Sequence, residues 1–430
     1  MRVQKEVRRN VRPQQLRDNQ ECPAEVALGT SDRAMPNVYV KALFAFRAPA
    51  PVGLRLEEGL SKALCDYREW AGRIQRNGAG WEVVVINDEG VVVVDASSDG
   101  TVEELMPFDP SPALLDLVPN TERADELMLI QLTRFSCQGL TVGVAWHHRL
   151  ADGQGFMVFM NEWVRAVKGL PPSCIPVHDR SALISDIAKI TLQDALQGDV
   201  VDISDPEESP LQPAVSAKKI HFSVDKLEKL RSNVDLNGGS AHEESFSTFK
   251  ILTAHLWRCI TKSRKIEINT HTGLLISVDA RRKLRPPLPD SYFGNVTFSP
   301  FPCTTAQQLL DNPISFAASL IHAAIQGVDD LYIRSTLSFM ECQLSTTESQ
   351  MPQKLSPNLV VASWVRFPLY EMDFGWGSPC FAGNVAEGHE GVVVLLPSHT
   401  RDGSIDAVVE LFKPELVSLE SLCFEGLIPS

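Results

Sequence analysis

The stretch Val144-Ala-Trp-His-His-Arg-Leu-Ala-Asp-Gly-Gln-Gly155 decides how the rest of the chain is read. Before it, Leu140-Thr-Val-Gly-Val-Ala-Trp146 alternates in the manner of a strand. After it, Phe156-Met-Val-Phe-Met-Asn-Glu-Trp-Val164 carries apolar residues at helical spacing. Two histidines therefore stand where a strand ends, and Gly153 and Gly155 turn the chain toward a helix. A histidine in that place reaches a cleft from a rigid support. His148 has Asp152 four residues on, whereas His147 has Ala151. The pattern reads two ways: His148 as a general base whose loop is shaped by an aspartate, or a partly exposed histidine in an ordinary turn. Two fixed positions in five do not choose between them.

A second stretch does. Asp373-Phe-Gly-Trp-Gly377 follows Ser363-Trp-Val-Arg-Phe-Pro-Leu-Tyr370, more than two hundred residues after the histidines. H-x-x-x-D-G in the first half and D-F-G-W-G near the end, in that order, resemble the plant BAHD acyl-CoA-dependent acyltransferases. Further similar pieces are Ser247-Thr-Phe-Lys-Ile-Leu-Thr-Ala-His-Leu-Trp-Arg258, Val278-Asp-Ala-Arg281 and Tyr292-Phe-Gly-Asn-Val296. The resemblance spans nearly the whole chain. It implies an α/β fold of two similar mixed α/β domains, chloramphenicol acetyltransferase-like, with a solvent channel between them and the histidine motif at their interface.

Composition agrees with a globular protein of that size. The chain has 430 residues, 44% apolar and 22% charged, enough for two domains with sizeable cores. A net charge of −14 argues against nucleic acid and against an anionic membrane surface as partners. No apolar run approaches a membrane span. Nine cysteines are scattered from Cys22 to Cys423 without a C-x-x-C. The N-terminal Met1-Arg-Val-Gln-Lys-Glu-Val-Arg-Arg9 is basic but lacks an apolar core, so it is no secretory signal; its arginines suit a transit peptide, its Glu6 and lack of serine do not. A cytoplasmic monomer with reduced thiols is the expectation. No Cys/His spacing suggests zinc, and no metal ligand set is expected.

The chain divides by composition into residues 1–189, a solvated crossover at 190–217 containing Asp205-Pro-Glu-Glu-Ser-Pro210, and residues 218–430. Residues 1–35 read as polar and irregular, with a short first strand starting near Val11. Tyr39–Phe46 and Leu127–Thr133 read as strands, and Trp81–Ile86 and Gly90–Asp95 as the two arms of a hairpin around Asn87-Asp-Glu89. In the second half, Phe246–Cys259 and Asn312–Gln326 read as helices. Gly273–Asp279, Leu359–Val365, Gly391–Pro397 and Ile405–Leu411 read as strands.

Acyl transfer from a thioester needs little machinery. The thiolate leaves readily, the acceptor must lose a proton, and charge developing on the carbonyl oxygen must be stabilised. One histidine, His148, suffices as the base, and no separate nucleophile is needed. G-x-S-x-G is absent, which argues against a serine acyl-enzyme; a cysteine acyl-enzyme is an open alternative, but no local motif marks a cysteine. A His148–Asp152 dyad fits poorly in a tight glycine-containing loop. The resemblance implies instead that Asp152 pairs with Arg281 and is structural at the site. In Asp373-Phe-Gly-Trp-Gly377 it likewise implies a structural Asp373, with Trp376 as a candidate contact. Gly153, in the loop beside the base, is a candidate substrate or coenzyme A contact. Ser247 and Thr248 open a helix and are candidates for coenzyme A phosphates, or plain N-capping residues. No bound cofactor is expected; acyl-CoA enters as a cosubstrate.

For the acceptor, Phe46–Pro51, Asp66–Arg73, Glu126–Phe135 and Pro176–Arg180 resemble the family's hydroxycinnamoyl-CoA amine N-acyltransferases, whose acceptors include agmatine, putrescine, tryptamine and tyramine. That implies a p-coumaroyl, feruloyl or caffeoyl donor and a small amine acceptor. Glu371 is the candidate partner for an ammonium group, and Arg366 for an acidic acceptor. The alternatives are O-acylation of shikimate, quinate or another alcohol, and a catalytically silent binding protein on the same fold.

Overall fold

A computed structural model describes residues 1–14, 23–49, 54–183, 213–237, 246–344 and 354–427. Two six-stranded sheets organise it. The first runs in the order Val3–Val11, Val91–Ser98, Met128–Phe135, Leu140–His147, Tyr39–Phe46, Phe381–Asn384. The second runs Cys303–Thr305, His271–Ile276, Leu359–Ser363, Val392–Pro397, Ile405–Phe412, Val215–Phe222. Both are mixed: one neighbouring pair is parallel in the first and two in the second. The fold is thus α/β with two mixed sheets and a large apolar core beside each.

The sequence explains most of these strands. Leu140–His147 is buried at every residue, as is Ile405–Phe412. Near-continuous apolar runs of this kind suit strands covered on both faces. In the first sheet one face meets the helices Leu54–Ala63 and Gly153–Val167, with Phe44, Trp146, Phe156, Met160 and Trp163 in the shared core. Trp146 and Phe156 stack with ring centroids 3.8 Å apart.

Four expectations are corrected. Residues 3–11 are not irregular: they form the edge strand Val3–Val11, paired antiparallel with Val91–Ser98. Its polar pattern hid it, because Arg8 and Arg9 project to ion pairs with Glu126, Glu57 and Asp95. Charged residues are what a protected sheet edge carries. The hairpin around Asn87-Asp-Glu89 does not form. Glu82–Val85 joins a small sheet with Glu25–Ala27 and Arg73–Arg76, while Val91–Ser98 enters the large one. The intervening turn, with Asp88 at φ 51°, moves the chain between sheets.

The third correction concerns the crossover. Residues 190–212 lie outside the described residues, but strand Val215–Phe222 begins inside the expected linker. The fourth concerns the two halves, which interlock. Phe381–Asn384, from the second half, pairs with Tyr39–Phe46 in the first sheet. The preceding Trp364, Leu369, Met372 and Phe374 lie in the first sheet's core. A cut at 190–217 therefore does not describe two chain-contiguous bodies. No helix among the described residues is long and apolar enough to cross a membrane.

Candidate active site

His147 and His148 end the strand Leu140–His147, and their neighbours separate their chemistry. His147 is buried; its Nε2 lies 2.8 Å from Asn37 Oδ1, and the Tyr39 ring packs edge-on at 5.2 Å. Burial, followed by Arg149 and His148, pushes its pKa down to about 4. Its Nδ1 is buried without a partner. That is a neutral imidazole with its proton on Nε2, donated to Asn37.

His148 is half-buried and faces the second half of the chain. Its backbone N–H donates to Val38 O at 2.9 Å, and its Nδ1 lies 3.2 Å from Asn295 Oδ1. Asn295 is held from behind: its Nδ2 and its backbone N each donate to Asp32 Oδ1 at 2.9 Å. A carboxylate only accepts, so the amide nitrogen of Asn295 must face Asp32 and its oxygen must face His148. Asn295 Oδ1 then accepts, and Nδ1 of His148 carries the proton. The lone pair is left on Nε2, which no hydrogen bond occupies among the described residues. Asp32 is buried, accepts from Gly29 N at 2.9 Å and is ion-paired with buried Arg180. The chain Arg180–Asp32–Asn295–His148 thus fixes both the tautomer and the ring orientation of the histidine.

Asp152 belongs to a different network. Both of its oxygens accept from Arg281, each at 2.9 Å, in a bidentate pair. Oδ1 also caps the helix Gly153–Val167 by accepting from Gly155 N at 2.9 Å, and Oδ2 accepts from Val296 N at 2.9 Å. Burial alone would raise this carboxyl's pKa; the Arg281 guanidinium and the two amides more than offset it and hold the pKa below the usual range. Arg281 is fully buried and also donates to Tyr292 O and Gly294 O, each at 3.2 Å. Every acceptor of Asp152 is therefore committed away from the imidazole, and the carboxylate joins the two halves. Gly294, at φ +153°, brings its carbonyl into this knot; a Cβ there would stand 2.8 Å from Arg180 Nη1.

The remaining expected residues fall around this centre. A Cβ on Gly153 would meet the Phe367 ring at 2.8 Å, so a bare backbone lets the loop pack against the second half. Asp373 Oδ1 accepts from Gly375 N and Gly377 N, each at 2.8 Å, and Oδ2 from Lys168 Nζ at 3.3 Å. Trp376 stacks on Phe374 at 5.6 Å and meets Phe46 edge-on at 5.9 Å. Its indole N–H is buried without a partner, and its contacts are packing contacts. Arg366 and Glu371 are both exposed, on either side of the buried Leu369. Ser247 stands at the N-cap of helix Thr248–Ser263 without a side-chain capping bond, and Thr248 Oγ1 accepts from Arg231 at 2.9 Å.

Sequence reading missed Asp32 and gave Asn295 and Arg180 no role, although Tyr292–Val296 and Pro176–Arg180 were singled out. Asp32 sits in a short helix, Thr30–Arg33, inside a segment that reads as irregular. Linear spacing also shows no metal ligand set, yet the fold brings His255, Cys259 and Cys423 together in the second core.

Two interlocked mixed α/β halves with a histidine at a strand end between them are the frame in which the comparisons place an acyl-CoA-dependent acyltransferase. The model of the Transferase family matches residues 1–423, and the chain belongs to that family, the BAHD acyltransferases. It is 35% identical over 419 residues to agmatine hydroxycinnamoyltransferase 1 of Oryza sativa subsp. japonica, covering 93% of each chain. It is 35% identical over 421 residues to agmatine coumaroyltransferase-1 of Hordeum vulgare, covering 94% of each. Shikimate O-hydroxycinnamoyltransferase of Nicotiana tabacum is 31% identical over 414 residues, covering 92% of this chain and 94% of that one. Among solved structures, vinorine synthase superposes with a TM-score of 0.74 at 20% identity over 98% of both chains. The TRI101 protein of F. sporotrichioides, complexed with coenzyme A and T-2, does so with a TM-score of 0.74 at 17% identity, covering 92% of this chain and 97% of that one.

Proposed function

We propose that this protein transfers a hydroxycinnamoyl group from coenzyme A to a small amine, agmatine or putrescine ahead of tryptamine or tyramine, with His148 as the general base. The observation that carries the acceptor assignment is the near full-length similarity to the two agmatine transferases. The chemistry rests on the free lone pair of His148. A neutral amine nitrogen attacks the thioester carbonyl carbon. Nε2 of His148 takes the proton that the nitrogen sheds, and the C–S bond breaks. The coenzyme A thiolate leaves and takes the proton back, so the histidine ends as it began. Asp152 and Arg281 hold the loop and touch neither substrate. Ser247, at the open helix N-terminus, is the candidate contact for a coenzyme A phosphate.

An aliphatic amine is mostly protonated at neutral pH, with a pKa of about 10.4 for a lysine-like group. The protein must bind the cation and deliver its neutral form to the thioester. Glu371 is the proposed holder of the distal charge of agmatine or putrescine. The solvent channel that admits both substrates lies between the two halves, and the enzyme works as a cytoplasmic monomer. O-acylation of shikimate is the second reading; exposed Arg366 and the similarity to the tobacco shikimate transferase favour it. The test is one acceptor panel at fixed p-coumaroyl-CoA: agmatine, putrescine, tryptamine, tyramine, shikimate and quinate, with products identified by mass. Amide products with agmatine or putrescine are expected. An ester with shikimate or quinate and no amide would replace the amine reading, and no product with any acceptor would leave a binding protein.

A further inference from the structure

The second core contains a set of donor atoms that acyl transfer does not use. His255 and Cys259 lie one turn apart on the helix Thr248–Ser263, so their side chains share a face. Cys423 reaches that face from the last helix, Lys413–Phe424. A nitrogen of His255 and the two sulfurs all lie within 4.8 Å of one another, and both cysteines are buried. His255 Nε2 is 2.7 Å from Cys423 O. A carbonyl only accepts, so Nε2 carries the proton and Nδ1 the lone pair; Cys259 Sγ lies 4.0 Å from Nδ1 and 3.7 Å from Nε2. An imidazole whose second nitrogen donates to a backbone carbonyl is oriented as metal-ligating histidines are.

We infer that His255, Cys259 and Cys423 form a binding site for a three-coordinate soft d10 ion, Cu(I). The spacing fits. With metal–sulfur bonds near roughly 2.3 Å and metal–nitrogen bonds near about 2.0 Å, ligand atoms around one ion stand roughly 3.5–4 Å apart. The two ring nitrogens of His255 stand 4.0 and 3.7 Å from Cys259 Sγ, and the three donors, within 4.8 Å of one another, need only a small contraction to reach that spacing. Thiolate and imidazole select soft ions. Among the described residues no fourth histidine, cysteine or carboxylate joins the set; both cysteines are buried and His255 is half-buried at its edge. Tetrahedral zinc wants four ligands; three suffice for Cu(I). On binding, the two thiols release two protons to solvent, the ion stays monovalent, and neutral His255 gives its Nδ1 lone pair. The bound ion ties the last helix to the core of the second sheet.

The test uses the full chain, reduced and free of oxygen, with Cu(I) delivered from a chromophoric chelator that reports its loss. One equivalent should be withdrawn per chain, and the melting temperature should rise with Cu(I) as ligand binding to the folded state requires. Cys423→Ser and His255→Gln should each weaken retention at least tenfold and abolish the rise; exposed Cys342→Ser should change neither. His255→Gln keeps both thiols, so it separates a three-ligand site from a bare thiol pair even where Cys423→Ser folds poorly. Equal retention by wild type and both variants overturns the site. Tighter retention of Zn(II) than of Cu(I) by the same three residues overturns the three-coordinate assignment.

Discussion

The loop that carries His148 and the turn that carries Trp376 are the two stretches most readily spotted in the sequence, and the structure gives them opposite kinds of support. Behind the loop stand buried charges, Asp32 with Arg180 and Asp152 with Arg281, and both carboxylates accept from amides and a guanidinium group. The turn is pinned by a single carboxylate, Asp373, and otherwise by aromatic rings. A buried polar network orients one ring with one tautomer, because every donor needs a matching acceptor. Aromatic packing fixes shape, and the one carboxylate of the turn, Asp373, is engaged by two turn amides and Lys168. The contrast supports the proposal that the loop carries the chemistry and the turn the architecture.

Substitutions sharpen this division. The largest stability loss is expected from Asp152→Ala, which leaves the fully buried Arg281 with only the half-exposed Asp279 as a counter-charge. Removing one partner of a buried pair costs about 3–5 kcal/mol, read as a fall in the denaturation midpoint with activity lost alongside. Asp373→Ala removes an acceptor from two turn amides and Lys168 in a half-exposed site, and should cost roughly 1–3 kcal/mol. It should leave the pH dependence of turnover unchanged; an altered pH profile would give the turn a chemical role it has not been assigned here.

A smaller effect tests the wiring itself. Asn295→Leu removes the acceptor that keeps the proton on Nδ1 of His148. One net hydrogen bond contributes about 0.5–1.5 kcal/mol, so kcat should fall roughly two- to tenfold at pH 7. The loss should exceed any change in KM for the amine, since the residue orients the base and does not bind the acceptor. Unchanged kcat with raised KM would place Asn295 in the acceptor pocket.

The smallest effect on turnover is expected at His147. Its folded pKa of about 4 lies below its ordinary value of 6.5 because of burial, so the unfolded chain takes up its proton first as the solution is acidified. The stability this contributes is whole above about pH 6.5 and drains away as pH falls from there through about 4. His147→Gln keeps an N–H for Asn37 and removes the titration. Melting curves of the variant should lose less stability between pH 6.5 and 4 than the wild type does. Parallel curves would contradict the neutral, buried assignment.

Sequence alone carried much of this, for reasons visible in particular residues. Leu140–His147 and Val392–Pro397 are apolar runs with no competing reading, and the pairing of Asp152 with Arg281 came from the family resemblance of the two motifs that contain them. Val3–Val11 escaped because an edge strand stapled by arginines has the composition of a solvated tail. The Glu82–Val85 arm was paired with the wrong neighbour because two valine-rich runs around a turn look alike whether the chain reverses or changes sheet. Phe381–Asn384 crosses into the first sheet across more than three hundred residues of chain, and local pattern holds no record of that. Asp32 was invisible for the same reason: its importance comes from Asn295, 263 positions away.

The most direct test of the central claim compares His148→Ala with His147→Gln, using p-coumaroyl-CoA and agmatine and following coenzyme A release and amide formation. The account predicts that His148→Ala lowers kcat by roughly 10²–10⁴-fold, the usual weight of a general base, with its melting temperature near that of the wild type. His147→Gln should keep kcat within a few-fold, about what a site away from the chemistry allows. Equal losses in the two variants, or a His148→Ala protein that still turns over at the wild-type rate, would contradict the assignment of His148 as the base.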